Sequence, residues 1–166
     1  MWEEKRIGTV WETTSTDIVA MIDSEITSLA KKLGDKTYYI GQIGSYVIIP
    51  VGKVFVIGMV SEFRKTLIQF PEGTAERFMM KIILIGVLKN NKFEAGVSIL
   101  PTADSIVFLL EDKDIKVVFS AYQQFDFSLG LLSFFENERA YLDPNRFFGK
   151  HLAVLGSSGA GKSNCW

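Results

Sequence analysis

YVIIPVGKVFVIGMVSEF, residues 46–63, contains two apolar runs separated by a glycine and a lysine. Each run has at least the length of a strand and is bounded by residues that favour turns. FMMKIILIGVL (78–88) and SIVFLL (105–110) repeat this pattern further along the chain. The spacing of these runs predicts a mainly β fold, either a meander or a small barrel. VFVIGMV and KIILIGVL are continuously apolar, which predicts strands covered on both sides for part of their length.

Glycines inside these runs leave two interpretations open. Gly58 and Gly86 indicate either a bend or bulge of the kind that closes a small barrel, or a glycine that lies under a neighbouring aromatic ring. Asn90-Asn91 predicts a tight turn with positive φ values, which leads into KFEAGVS.

The segments on either side of these strands predict a hairpin and two short helices. In RIGTVWETTSTDIVAMID, the polar residues 13–16 separate two strand-like segments. The expected faces of this hairpin are Ile7, Thr9 and Trp11 on one strand and Ile18, Ala20 and Ile22 on the other. Helical spacing occurs at Ile26, Leu29, Ala30 and Leu33, with Asp23 or Ser24 as cap and Gly34 at the end. Ile115, Val118 and Phe119 share one face of a second helix within 111–122. The rest, 125–149, is expected to be an irregular connection with a turn at Asp143-Pro144.

Composition predicts one compact domain with a short tail. The chain has 166 residues, of which 48% are hydrophobic, and its 18 basic and 19 acidic residues are mixed rather than gathered into a basic stripe. No large electrostatic footprint for nucleic acid is therefore expected. The acidic start MWEEKRIGTV is unlike a signal peptide, and the apolar run Tyr46–Val60 is too short for a membrane-spanning helix. With Cys165 as the single cysteine, a cytoplasmic protein with no membrane association is expected.

LGSSGAGKS, residues 155–163, follows the pattern G-x-x-x-x-G-K-[ST] of a phosphate-binding loop. Glycines let the chain wrap an anion so that backbone N–H groups point inward, and Leu152–Leu155 predicts the strand that precedes the loop. Lys162 is expected to reach the β- and γ-phosphates of ATP, and the Ser163 hydroxyl to hold Mg²⁺. The predicted cofactor-binding residues are Gly156, Ser157, Ser158, Gly159, Ala160, Gly161, Lys162 and Ser163.

Hydrolysis of ATP requires more than this loop. It also needs an acidic metal residue, a group that positions water and an arginine, and the sequence assigns none of them. His151 has no apparent nucleophile partner, so a local structural role is expected for it. The residues after Ser163 amount to less than one helical turn. We therefore expect this chain alone to bind ATP weakly or not at all, without turnover, and its catalytic residues stay unknown.

FDFSLGLLSFFENERAYLDPNRFFGKHLAVLGSSGAGKS, residues 125–163, resembles the start of the ATPase core of HerA, a prokaryotic DNA translocase related to FtsK. GSYVIIPVGKVFVIGMVSEF (44–63) and IGVLKNNKFEAGVS (85–98) resemble the N-terminal barrel of the same family. Gly156, Gly159, Gly161, Lys162 and Ser163 match the family's phosphate loop, whereas Ser158 and Ala160 stand where Thr and Ser are common.

The resemblance implies a small N-terminal β-barrel with one or two short helices, followed by the first strand and phosphate loop of a truncated RecA-like α/β ATPase domain. The implied domains are an assembly barrel at 1–121, a connector at 122–150 and the start of the ATPase at 151–166. The family forms hexameric rings that use ATP to move double-stranded DNA. Its members work with a nuclease or a sirtuin-type effector docked on the barrel side, in antiviral defence or DNA end processing.

Two other functions stay open at this point. The chain is alternatively a non-catalytic oligomerisation and partner-docking module, in which strand edges and exposed apolar residues mediate self-association. A small P-loop kinase or GTPase is disfavoured, because those folds place the phosphate loop near their first strand rather than after a long β-rich segment.

Overall fold

The computed structural model describes residues 2–132 and 139–150, and this part of the chain is mainly β, as the sequence predicts. A short 3-10 turn (Glu3–Lys5) precedes the first strand. The strands are β1 (Arg6–Thr13), β2 (Asp17–Ile22), β3 (Ala30–Leu33), β4 (Lys36–Tyr39), β5 (Tyr46–Val51), β6 (Val54–Phe70), β7 (Gly73–Lys89), β8 (Lys92–Ala95), β9 (Ile106–Leu109), β10 (Ser128–Leu131) and β11 (Arg139–Tyr141). The helices are α1 (Asp112–Gln123) and α2 (Pro144–Phe148).

Seven strands form one antiparallel sheet whose pairing order is cyclic. The order is β2-β1-β9-β5-β6-β7-β8, and β2 also pairs with β7. This additional pairing runs from Asp17 opposite Ile83 to Met21 opposite Met79. The hydrogen-bonded order thus returns from β7 to β2, and β8 is added to β7 beyond this ring of pairings.

The first hairpin, β1–β2, confirms the prediction from the sequence. Ile18, Ala20 and Ile22 are all buried on one face of β2. The predicted face of β1 is wrong at Trp11, whose side chain is 47% exposed. Ile7 and Val10 are buried in the same cluster although they are three residues apart, so the alternation is broken between them, next to the register shift with β9 at Arg6–Gly8, and Trp11 lies on the side opposite to Val10.

The four apolar runs predicted as strands correspond to β5, β6, β7 and β9. β6 and β7 are longer than predicted and pair with each other as far as Phe70 and Gly73. Near their tip, the ring of Phe70 lies 6.3 Å from the Trp11 ring in an edge-to-face contact. The predicted turn at Asn90-Asn91 is confirmed, with φ values of 48° and 60°.

The two glycines inside β6 and β7 flank one bulge and differ in what lies over them. Ile57 pairs with Gly86 but Gly58 pairs with Leu84, so Ile85 is the extra residue of the bulge, and a Cβ added at Gly58 would lie 2.3 Å from the Ile82 side chain. At Gly86 an added Cβ would lie 2.3 Å from the Glu94 carbonyl oxygen and 2.6 Å from the Phe93 ring. Gly86 is therefore the glycine that lies under an aromatic neighbour.

The helix predicted over 26–33 is wrong. Its second half forms β3, which pairs with β4 as a hairpin. Gly34 adopts a positive φ of 59°, as predicted, but it does so in the hairpin turn. Leu29 also has a positive φ, of 48°, and its carbonyl accepts a hydrogen bond from the Ile40 N–H at 2.8 Å. A left-handed residue at this position breaks a right-handed helix, so Ala30 and Leu33 are placed by an extended strand instead.

The buried residues form two clusters, one drawn mainly from the strands of the sheet and one that joins the sheet to α1. The first cluster comprises Ile7, Val10, Ile18, Ala20, Ile22, Ile40, Val47, Ile49, Val56, Val60, Met80, Ile82, Val87, Val107 and Leu109. The second cluster comprises Ile48, Ile57, Phe108, Leu110, Ile115 and Val118. The predicted apolar face of α1 is thereby confirmed at Ile115 and Val118, and the Phe119 side chain lies outside the description.

Beyond α1, the segment predicted to be irregular contains regular structure. β10 and β11 pair as a small antiparallel unit. Asp143-Pro144 does not form an isolated turn but begins α2, with Asp143 as the N-cap and proline in the first turn. Neither helix of the described chain has the length and apolarity to cross a membrane.

Candidate functional site

The predicted phosphate loop, 156–163, lies outside the described residues, as do His151 and the predicted strand Leu152–Leu155. The loop and its ligands therefore stay predictions. The described residues include the segment that precedes the loop, formed by β10, β11 and α2, and the helix α1 that links this segment to the N-terminal sheet.

The segment just before the loop is held by a helix cap. The Asp143 carboxylate accepts hydrogen bonds from the backbone N–H groups of Asn145 at 2.9 Å and Arg146 at 3.3 Å. At the other end of α2, the Gly149 N–H donates to the Asn145 carbonyl at 2.9 Å. Because N-cap carboxylates satisfy free N–H groups of the first turn, this short helix has a defined start despite its length.

The unit formed by β10, β11 and α2 has its own aromatic cluster. The Phe127 ring lies 6.0 Å from Phe147 and 5.4 Å from Phe148, and the latter two rings are 5.1 Å apart. The Leu142 N–H donates to the Phe127 carbonyl at 2.9 Å, which ties β11 to β10. Leu129 is 62% exposed, so this unit presents apolar surface as well as burying it.

The N-terminal turn fastens α1 to the sheet through a buried lysine. Lys5 is 8% exposed, and its ammonium group forms ion pairs with Glu111 and, at 3.3 Å, with Asp114. The ring of Trp2 stacks on Phe55 at 5.5 Å and contacts the Lys5 ammonium. Burial alone lowers the pKa of Lys5, but the hydrogen bond to Glu111 and the charges of both carboxylates raise it above the ordinary value.

A second ion pair fixes the ends of β1 and β2. The Arg6 Nε donates to the Asp23 carboxylate at 2.9 Å, and this hydrogen bond raises the pKa of Arg6. The Lys31 ammonium donates to the Arg6 carbonyl at 2.6 Å, which holds the β3–β4 hairpin against β1. These contacts are structural, because each cation already has a partner in the fold.

The outer face of the sheet carries a charged cleft of about 400 Å³ between β2, β6 and β7. Within it the Lys81 ammonium lies 3.7 Å from Asp17 and 3.8 Å from Glu62. This balance of charge is typical of ion-paired surface. In residues 2–132 and 139–150 there is no cluster of three His, Cys, Asp or Glu side chains placed to hold a metal ion.

Taken together, these features define a class of protein: a β-rich N-terminal region followed by a sequence motif of the phosphate-loop type at 156–163. Residues 127–166 match the family model described as the central domain of helicase HerA. Over 90 residues, which are 54% of this chain, the sequence is 33% identical to the probable DNA double-strand break repair helicase HerA of Methanocaldococcus jannaschii. The chain spans 17% of the length of that relative. The resemblance to HerA-type ATPases is thereby confirmed.

Sequence reasoning missed two features of this region. Lys5 was not singled out, because its partners, Glu111 just before α1 and Asp114 within it, are distant in sequence and only the fold brings them together. The short β10–β11 unit was missed because each strand is only a few residues long and lacks a clear alternation of apolar and polar residues. A signal was available for α2, since an aspartate followed by proline is a common way to begin a helix.

Proposed function

We propose that this chain is the front part of a hexameric, ATP-dependent double-stranded DNA translocase or helicase of the HerA type. The observation that carries the proposal is the match of residues 127–166, which contain the phosphate-loop motif, to the HerA central domain. The β-rich region before it supports the same assignment. ATP hydrolysis and DNA translocation belong to a complete enzyme, and they are extended to this chain by its similarity to HerA.

The proposed domain division is an assembly barrel at 1–121, a connector at 122–150 and the first part of the ATPase domain at 151–166. The cyclic pairing of β2, β1, β9, β5, β6 and β7 supports a small barrel, because a closed sheet is what such pairing describes. The family match begins at residue 127, inside the proposed connector. A connector with its own aromatic cluster also fits a boundary near Tyr122.

The proposed ligands are ATP and Mg²⁺. In the phosphate loop, the backbone N–H groups of 156–161 would hold phosphate oxygens, Lys162 would pair with the β- and γ-phosphates, and Ser163 would bind the metal ion. Transfer of the γ-phosphoryl group from ATP to water would supply the free energy for translocation. An acidic metal residue and an arginine are not assigned in these residues, so we propose that the chain alone does not hydrolyse ATP.

The proposed partners are further copies of this chain in a ring, double-stranded DNA, and an effector such as a nuclease or a sirtuin-type protein on the barrel side. The setting would be antiviral defence or DNA end processing in the cytoplasm. The native mass of this chain, measured without nucleotide at several concentrations, tests the ring. A species of six chain masses supports a barrel that assembles by itself, whereas a monomer at all concentrations rejects this.

Lys162→Ala in the complete gene product tests the ATPase. Loss of duplex-stimulated ATP hydrolysis is expected, because the lysine neutralises charge on the transferred phosphate. Hydrolysis at the unmodified rate would contradict the proposal.

The second candidate is a docking and oligomerisation module without activity of its own. Exposed apolar side chains favour it, among them Tyr39 at 65% and Ile43 at 63% exposure. Calorimetry with ATP-Mg²⁺ distinguishes the two: micromolar binding by this chain would show a competent phosphate loop and would argue against a purely structural role.

A further inference from the structure

The turn between β5 and β6 and the turn between β7 and β8 lie side by side at one rim of the sheet. Phe55 in β6 is opposite Leu88 in β7, so the turn just before Phe55 neighbours the turn just after Leu88. The first turn carries Lys53, and the second is flanked by Lys89 at the end of β7 and Lys92 at the start of β8. The fold therefore brings Lys53 beside a pair of lysines that is distant from it in the sequence.

Within this rim, like charges are placed in direct opposition. Lys89 and Lys92 are cross-strand partners, an arrangement that lowers stability relative to neutral pairs. All three lysines are exposed, and none of them forms an ion pair in the described part of the chain. Glu94, two residues beyond Lys92 on β8, offsets only part of this charge. The three lysines thus outnumber this carboxylate, and the direct opposition of Lys89 and Lys92 lowers the stability of the β7–β8 hairpin.

Between the lysines stand neutral hydrogen-bond donors. Asn90 and Asn91 form the tip of the β7–β8 turn, with φ values of 48° and 60°, and both side chains are exposed. An asparagine amide carries two N–H donors and accepts hydrogen bonds only through its oxygen. Ammonium groups flanked by amide donors are suited to bind the oxygens of phosphate groups.

We propose that this rim binds the phosphate backbone of double-stranded nucleic acid. The placement of the three lysines follows from the strand pairing and does not depend on the proposed function. The choice of nucleic acid over another polyanion does rest on the proposed translocase function. The lysines stand on exposed turns rather than in a cavity, which favours a polymer that gains affinity by counterion release at each contact. Three strand spacings make the rim roughly 14 Å wide, about four phosphates along one strand.

Phosphate contacts position a protein on DNA without reading its sequence. Binding at this rim is therefore expected to be independent of sequence and strongly dependent on salt. With one contact per lysine, the slope of log K against log salt is roughly −2.7, which corresponds to about 40-fold weaker binding at 200 mM than at 50 mM salt.

The test is fluorescence anisotropy of a labelled duplex of about 20 base pairs with this chain, repeated over that range of salt. The test variant combines Lys53→Gln, Lys89→Gln and Lys92→Gln. It should bind at least about 10-fold more weakly at 50 mM salt, with a slope close to zero. It should also be at least as stable to heat as the unmodified chain, because the repulsion across the turn is removed.

The matched control neutralises three other exposed lysines: Lys32→Gln, Lys65→Gln and Lys116→Gln. It changes net charge by the same amount and should keep the affinity and the salt slope. Equal losses in the two variants would mean that net charge alone governs binding, and would overturn the rim as a site. Binding of polyglutamate or of anionic phosphatidylserine vesicles through the rim, without binding of duplex, would overturn nucleic acid as its ligand.

These outcomes are separable from failure of the proposed function. ATP hydrolysis that depends on Lys162 in the complete gene product, together with unchanged duplex binding after neutralisation of the rim, would reject the rim and leave the translocase proposal in place.

Discussion

Replacing Lys5 by methionine tests whether a buried ion pair fastens α1 to the sheet. The lysine side chain is 10% exposed, and its ammonium group is shared between the carboxylates of Glu111 and Asp114. Methionine keeps an unbranched, flexible side chain but removes the charge. The substitution therefore leaves the packing against Trp2 largely in place and leaves two carboxylates without their cation.

The magnitude follows from the burial of the partners. Removing one member of a fully buried pair costs about 3–5 kcal/mol, because the other charge is left desolvated. Here the side chains of Glu111 and Asp114 are 19% and 29% exposed, so water reaches them in part. We therefore expect a loss of about 2–3 kcal/mol in the free energy of unfolding. For a domain of this size, that lowers the melting temperature by about 4–12 °C.

The assay is thermal and urea unfolding followed by circular dichroism, with Lys65→Met as the matched control. Lys65 also pairs with a glutamate, Glu76, and also contacts an aromatic ring, but the two paired side chains are 48% and 62% exposed. Its loss should cost less than about 1 kcal/mol. Equal destabilisation by the two variants would refute the reasoning from burial. A double-mutant cycle of Lys5→Met with Glu111→Gln should give a coupling energy of about 1–2 kcal/mol. If the effects of the two substitutions were simply additive, this would also refute the reasoning from burial.

Three further predictions concern the turns, the strands and the pH. Gly86→Ala should destabilise the fold by about 1–3 kcal/mol, because the new methyl group meets the Glu94 carbonyl and the Phe93 ring; an unchanged urea midpoint would contradict this. Asn91→Gly should stabilise it by up to about 1 kcal/mol in the same assay, since glycine adopts positive φ without steric cost, and a loss of stability would count against that turn geometry. The stability that Lys5 contributes should be complete below about pH 10.4, the pKa of a lysine in the unfolded chain, and should disappear as the pH rises through the higher pKa of the folded state. Urea midpoints of the unmodified chain and Lys5→Met should therefore converge at alkaline pH, and a constant difference would reject this assignment.

The sequence predicted the strands where the apolar signal was continuous. β5, β6, β7 and β9 follow from runs of β-branched residues, and the β7–β8 turn follows from its two asparagines. The helix expected over 26–33 failed because periodicity reports only that a residue is buried. Ile26 and Leu33 do pack against the first cluster of the core, but Ile26 does so from a turn and Leu33 from β3. No local pattern contains that information, since tertiary contacts decide it.

The same limit applies to the surface. A survey of charge along the chain singles out adjacent basic pairs such as Lys31-Lys32, whereas the rim at Lys53 and Lys89 exists only because β6 and β7 pair in one register. An irregularity of one residue before Val10 was enough to place Trp11 on the face opposite to Ile7, against the simple alternation. The phosphate-loop motif is the opposite case, because the residues that define it are consecutive in the sequence and can be recognised without knowledge of the fold. Its geometry lies outside the described residues.

The cyclic pairing also determines when each strand can find its neighbours during translation. β1 reaches its second neighbour only when β9 has been made, and β2 waits for β7. At about 5–20 residues per second, the first hairpin leaves the ribosome roughly 5–20 s before β9 is available. During that interval Ile7 and Ile18, which are fully covered in the finished molecule, have no partner beyond the hairpin itself. The risk of misassembly with a neighbouring nascent chain is therefore highest during this interval of synthesis, and it is set by the order in which the strands are translated rather than by the stability of the finished core.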